Sequence, residues 1–312
     1  FLKDYSVLVH FNGDTFDIPF LMKRCRALKL PCDFSGVESV DIYKRIKPWK
    51  KHLGLENLKQ KTIEGFLSIC REDRFDGGQL ISVYEDYLKT RDKNLLRLLL
   101  LHNEEDLLGM KYLLPLFSYR MLLSKDLSLI KVSPGESLFE KGTGSIAISC
   151  KLPLALPKPL NFSTSIGSIS TNKNDSSILI ISLPYIEETL KHFFKDYRNY
   201  YYLPEEDRAV HKSVGCYVER KYRRAAKAST CYIKKEGIFL PIPKTQKHYG
   251  IQIERYPYQD SFPLYKREFK SPRSFAEFDN LFSDKNESLA IYLRDVIKEL
   301  FIIHIQEMND LI

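Results

Sequence analysis

The sequence predicts an α/β N-terminal part followed by a mixed α+β part, and three observations carry that prediction. Up to about residue 124, short apolar runs alternate with longer amphipathic runs. Strands separated by helices indicate a sheet covered by helices. Beyond that point short strand-like runs and polar turns take over, and one long amphipathic run closes the chain.

The elements follow in order. Tyr5–Val9 is a short apolar run and reads as a buried strand. Ile18–Leu30 reads as a helix that ends before Pro31. Glu38–Tyr43 reads as a strand with Val40 and Ile42 on one face. Helices are expected over Leu55–Ile63, over Gly77–Tyr87 after Asp76, and over Lys93–Leu114 before Pro115. Leu127–Val132 and Ser145–Leu152 read as strands, with a turn at Pro134-Gly135. Gly142 and Gly144 lack phosphate-loop spacing and are assigned to turns. Asn161–Ser177 reads as a polar loop or hairpin tip and Ile178–Ile181 as a strand. Tyr185–Phe194 is expected to be helical, as is a run starting at Pro204-Glu205-Glu206-Asp207 and passing Arg220. Cys231–Leu240 reads as a hairpin turning at Glu236-Gly237, and Glu287–Ile305 as the last helix. Two domains are expected, residues 1–124 and 125–312.

Composition narrows the classes. A chain of 312 residues with 44% hydrophobic content has enough apolar material for one or two cores. No run of 18 apolar residues occurs, so no membrane span is expected, and no signal-peptide pattern opens the chain. The six cysteines form no C-x-x-C pair, which argues against structural zinc and for small core residues in a reducing, cytoplasmic setting. The net charge is +8. Lys191–Gly250 holds fourteen Lys or Arg against six Asp or Glu, so this segment accounts for the whole surplus. Such a local excess fits a polyanion partner, or a solvated surface.

Two segments carry chemistry. His10-Phe11-Asn12-Gly13-Asp14-Thr15-Phe16-Asp17 sits where the first strand turns into the first helix. His102-Asn103-Glu104-Glu105-Asp106 lies in the long helix. Taken alone, Asp17 is a helix N-cap candidate. Paired with Asp106 it becomes a candidate ligand for a hard divalent cation. His102 is four residues before Asp106 and shares its helix face. Two readings of it stand: a base that activates water, or a part-buried helix residue bonded to a carbonyl. Gly13 permits a tight turn or a positive φ, and Asn12 braces that turn or touches a nucleic-acid backbone. Asn103 is a further supporting candidate, and Asp14, Glu104 and Glu105 are read as nearby solvent-facing or bracing acids.

The stretches HFNGDTFDIPFL and LLLHNEEDLLGM, in that order, resemble the second and third motifs of the ribonuclease H-like 3′–5′ exonuclease superfamily with four acidic ligands. The intervening LGLENLKQKTIEGFLSICREDRFDGG, with its Arg-x-Asp corner, is similar to the bacterial YprB-type subgroup. The resemblance covers residues 1 to about 116. It implies an incomplete ribonuclease H-like domain, a mixed sheet with flanking helices. It implies Asp17 and Asp106 as metal ligands, two Mg²⁺ or Mn²⁺ ions, and hydrolysis of phosphodiester bonds in DNA or RNA. The family's first motif, Asp-x-Glu, has no match in residues 1–16. The chain, which opens without Met, is therefore expected to be a piece of a longer polypeptide and inactive alone.

In the basic segment, Lys195–Tyr202 mixes cations with tyrosines, and Arg220, Lys221, Arg223, Arg224 and Lys227 follow. The tyrosines are expected to pack inward at alternate strand positions. The five cations are the candidate phosphate contacts, to single-stranded or frayed ends. Two rival readings remain: a non-catalytic nucleic-acid binding module, and an interaction scaffold that reuses the fold.

Overall fold

A computed structural model describes residues 4–123, 127–134, 144–244, 246–248, 251–253, 262–283 and 288–310. The chain divides into two compact units, Phe1–Tyr119 with Leu156–Lys158, and Arg120–Ala155 with Pro159–Ile312. The class is mixed α/β, with eight α-helices among the described residues and antiparallel pairing dominating the sheets.

The first unit opens with β1 (Val7–His10), α1 (Asp17–Ala27), β2 (Glu38–Asp41) and α2 (Ile42–Ile46). The strands β1 and β2 pair in parallel, and the register sets His10 opposite Asp41 at their ends. The expected strand Glu38–Tyr43 is thus cut at Asp41, because the Asp41 carboxylate accepts the Lys44 amide and caps a short helix. Then come α3 (Gln60–Phe66), α4 (Gly77–Thr90) and α5 (Lys93–Leu113). The helix expected over Leu55–Ile63 starts later, at Gln60. A capping box between Asp76 and Gln79 begins α4. Asp92 caps α5, whose last turn meets Pro115. Val40, Ile42, Ile46, Trp49, Ile63, Leu113 and Tyr119 form this unit's buried core. Val7 and Val9 on β1 stay exposed, as do Leu100, Leu107 and Leu108 on α5.

The second unit is built on an eight-stranded sheet. Its strands begin with β3 (Ser128–Pro134), β4 (Gly144–Lys151), β5 (Asn161–Thr164), β6 (Gly167–Thr171) and β7 (Ile178–Phe193). The polar stretch 161–177 therefore contains a hairpin, β5–β6, as one of its two readings had it. Pro134 ends β3, while Gly135 and Gly142 lie outside the described residues; Gly144 begins a strand rather than forming a turn.

The expected helix Tyr185–Phe194 is instead the second half of β7, a strand of 16 residues. Its first half pairs with β4 on one flank and β6 on the other, and its second half pairs with β11 (Tyr232–Pro241). Pairing with β11 along this half, continuous with the two-sided pairing of the first half, outweighs the helix propensity of Glu187, Glu188 and Lys191. The expected helix from Pro204 is also absent. There β8 (Tyr200–Leu203) and β9 (Arg208–His211) form a hairpin, and its turn holds Asp207 at φ 48°. Three hydroxyl or ammonium groups, on Tyr202, Tyr232 and Lys234, converge on the Asp207 carboxylate and fix that turn. After it come α6 (Lys212–Gly215) and β10 (Arg224–Ala225). The hairpin expected at Glu236-Gly237 is one continuous strand, β11, with Gly237 opposite Glu188.

The remaining elements are β12 (Gln246–His248), β13 (Ile251–Ile253), β14 (Leu264–Tyr265), β15 (Phe275–Glu277), α7 (Phe278–Leu281) and α8 (Ser288–Asp310). The helix α8 buries Leu293, Ile297, Leu300, Phe301 and Ile302, and Phe301 lies 5.1 Å from Phe162 of β5, ring to ring. Of the six free cysteines only Cys150 and Cys231 are buried, so the expectation of six core thiols is corrected. Cys70 and Cys216 are exposed, and no thiol forms a disulfide. No described helix is long and apolar enough to cross a membrane.

Candidate nuclease site

The long helix α5 presents His102, Glu105 and Asp106 on one face, as positions i, i+3 and i+4 must be. The segment Arg71-Glu72-Asp73 is tied to that face residue by residue. The Glu105 carboxylate accepts the backbone amides of Glu72 at 2.8 Å and Asp73 at 3.0 Å. The Arg71 guanidinium bonds Asp106 Oδ1. Asp73 Oδ2 lies 2.6 Å from His102 Nδ1. The Arg-x-Asp corner thus clamps both members of the His102–Asp106 pair.

Burial sets the electrostatics. The Asp73 side chain is 2% exposed. Burial pushes its carboxyl up, but hydrogen bonds from Lys61, His102 and the Phe75 amide outweigh that and bring it down to about 2. A carboxylate only accepts, so His102 carries its proton on Nδ1, and Nε2 faces Asp106 Oδ2 at 3.3 Å. Arg71 is also buried, and its Nε lies 2.8 Å from Oε2 of the buried Glu64 on α3. A side chain on Gly109 would collide with that Glu64 carboxylate, so glycine lets α3 and α5 approach closely.

Asp17 occupies the first turn of α1, but the N-cap is Phe16, which makes no side-chain cap. The capping reading of Asp17 is corrected: its carboxylate is exposed and has no hydrogen-bond or ion-pair partner among the described residues. It lines an open cavity of about 540 Å³ with Phe11, Asn12, Phe16, Lys50, Asn57 and Lys59. Asn12 braces the turn: its side chain accepts from the Thr15 hydroxyl at 2.5 Å, and its amide donates to Asp41 Oδ1 at 2.9 Å. The positive φ belongs to Asn12, at 57°, and not to Gly13. Gly13 is needed for room instead, since a Cβ there would stand 2.7 Å from His10 Nδ1. Asn103 points outward from α5 and is exposed.

The cavity and the clamped pair lie on separate elements, and no hydrogen bond joins Asp17 to Asp106 among the described residues. Oxygen donors on both suit Mg²⁺ or Mn²⁺, although in this structure Arg71 already neutralises one oxygen of Asp106. The described residues bring three metal-capable groups together elsewhere: His10, Asp14 and Asp41, each with one donor atom within 4.8 Å of the others. Sequence reasoning passed over Asp41, Glu64 and Lys61. The Arg-x-Asp spacing was visible, but not what it holds.

Of the basic candidates, Arg220, Arg224 and Lys227 are exposed with no ion pair among the described residues. Lys221 pairs with Glu219 at 3.1 Å. Arg223 bonds the Gly215 carbonyl and lies 4.6 Å over the Tyr201 ring. Tyr200 and Tyr202 pack against buried Ala209, Ala226 and Cys231, so alternate tyrosines do face inward.

Residues 1–117 match a family model of the ribonuclease H superfamily. No curated protein and no solved structure matches the chain.

Proposed function

We propose that this ribonuclease H-like domain serves a metal-dependent nuclease of the YprB type, a 3′–5′ exonuclease acting on DNA or RNA in the cytoplasm. The observation that supports it best is the His102–Asp106 pair, oriented by Asp73 and Arg71, inside the stretch that matches the superfamily. Asp17 and Asp106 supply the carboxylates for Mg²⁺ or Mn²⁺. Two such ions held there would supply the positive charge that favours deprotonation of water and neutralisation at the leaving oxygen. Asp73 keeps the proton on Nδ1 of His102, which leaves Nε2 free to take a proton from the attacking water. Lys50 and Lys59 in the cavity beside Asp17 attract phosphates, and Phe11 and Phe16 offer ring faces to bases. Arg220, Lys221, Arg223, Arg224 and Lys227 are the phosphate contacts for the single-stranded or frayed portion.

The test is Asp17→Asn and Asp106→Asn in the native full-length protein. Each is expected to abolish Mn²⁺-dependent cleavage and spare nucleic-acid binding. Retained cleavage in both overturns the ligand assignment. The Arg71–Asp106 ion pair favours a second reading, in which the acids only brace the fold of a nucleic-acid binding module. Wild-type protein that binds in a salt-dependent way but cleaves nothing selects that reading.

A further inference from the structure

We propose that His10, Asp14 and Asp41 form a separate cation site, for a transition-metal ion of the Zn²⁺ class, distinct from the carboxylates of Asp17 and Asp106. The backbone builds it. His10 ends β1, Asp41 ends the neighbouring β2 in register, and Asp14 lies on the turn that follows β1.

The hydrogen bonds satisfy every oxygen of the cluster's carboxylates but one. The Gly13 amide donates to His10 Nδ1 at 3.0 Å, so Nδ1 presents its lone pair and Nε2 carries the proton. Nε2–H donates to the Ser39 hydroxyl at 2.7 Å, which donates to Asp14 Oδ1 at 2.5 Å. Lys44 takes the other Asp14 oxygen at 2.7 Å, and hydrogen bonds from Lys44 and Ser39 keep that carboxyl below its ordinary range. Asp41 Oδ1 accepts the Asn12 and Lys44 amides. Asp41 Oδ2 is different: it is buried and accepts nothing. It faces His10 Nδ1 at 3.8 Å, and the Asp41 side chain is 2% exposed.

One unpaired carboxylate oxygen therefore faces His10 Nδ1, whose lone pair the Gly13 amide holds, across a buried gap. A buried carboxylate oxygen without a donor is costly, and a cation removes that cost. The imidazole is already set for the task, because a ligating histidine commonly donates its other N–H to a neighbour, as His10 does to Ser39. A bound ion takes the place of the Gly13 amide at Nδ1. One imidazole nitrogen and two carboxylate oxygens suit Zn²⁺ better than Mg²⁺, which prefers oxygen alone.

The test is Zn²⁺ titration of chelator-cleared protein by calorimetry, with Co²⁺ visible absorption as a second readout. Wild type is expected to show one saturable site whose affinity falls at least tenfold in Asp41→Asn and in His10→Gln. Asp17→Asn and Asp106→Asn are expected to leave it unchanged, so its fate is separable from that of the nuclease reading. Asp41→Asn keeps the amide-accepting oxygen, and folding of each variant is checked by Trp49 emission. Equal Zn²⁺ binding by wild type and both site variants marks an adventitious ion and overturns the proposal. So does the absence of a saturable site, or loss of binding in His102→Gln with retention in His10→Gln.

Discussion

Asp73 and Asp41 are both buried carboxylates beside a histidine, yet their surroundings are opposite. Asp73 receives an ammonium, an imidazole N–H and a backbone amide, and its carboxyl is held at about 2. Asp41 receives amides on one oxygen only, and its other, buried oxygen accepts nothing. The difference teaches that donor supply, rather than residue type, separates a saturated brace from a carboxylate with one unpaired oxygen. Asp73 braces the N-terminal unit through Lys61, His102 and Phe75, whereas Asp41 braces it through one oxygen only.

The comparison can be broken at several points. Glu64→Ala should have the largest effect, because it leaves Arg71 buried without its closest buried partner. The expected loss is about 3–5 kcal/mol in urea unfolding followed by Trp49 emission. Trp49 is the single tryptophan and is buried in this unit, so its signal reports this half of the chain. Asp73→Asn should cost about 2 kcal/mol at pH 7. Asp73 is lower in the folded state than its ordinary 3.8, so its contribution is complete above about 4 and vanishes as pH falls through about 2. The variant should therefore flatten the acid side of the stability curve, and an unchanged curve would refute the brace. Asp41→Asn should have the smallest effect, within about 0.5 kcal/mol in metal-free protein. Asn keeps an oxygen that accepts the Asn12 and Lys44 amides, so the turn and the α2 cap persist. A loss there as large as that at Asp73 would erase the distinction between the two corners.

The first unit was largely legible in the sequence, because its signals are local. The start of α4 after Asp76, the start of α5 at Lys93 and its stop before Pro115 lie where the pattern put them, while α4 runs on to Thr90. His102 and Asp106 share a face because helix periodicity makes them do so. The clamp was less legible, since Arg71 meets Asp106 across 35 residues of chain and no local rule encodes that contact. In the second unit Tyr185–Phe193 carries glutamates and a lysine that favour a helix, but strand partners arriving from distant segments decided the outcome. Tyr185, Ile186, Thr189 and Phe193 were the available signal, being aromatic or β-branched. Pro204 with three acids mimics a helix start, but Asp207 is instead the anchor of a tight turn, bonded to Tyr232 far along the chain. The Asp41 gap was invisible for the same reason, because it arises from two strand ends brought into register.

The long strand β7 has a dynamic consequence. The backbone of Leu179–Ser182 is sandwiched between neighbours on either side, while the stretch nearer Phe193 has β11 along one margin. Opening those four residues means dismantling the middle of the sheet. Their amide protons should be among the last to exchange with deuterated solvent, and a slow-exchange map of the protein would have its centre there.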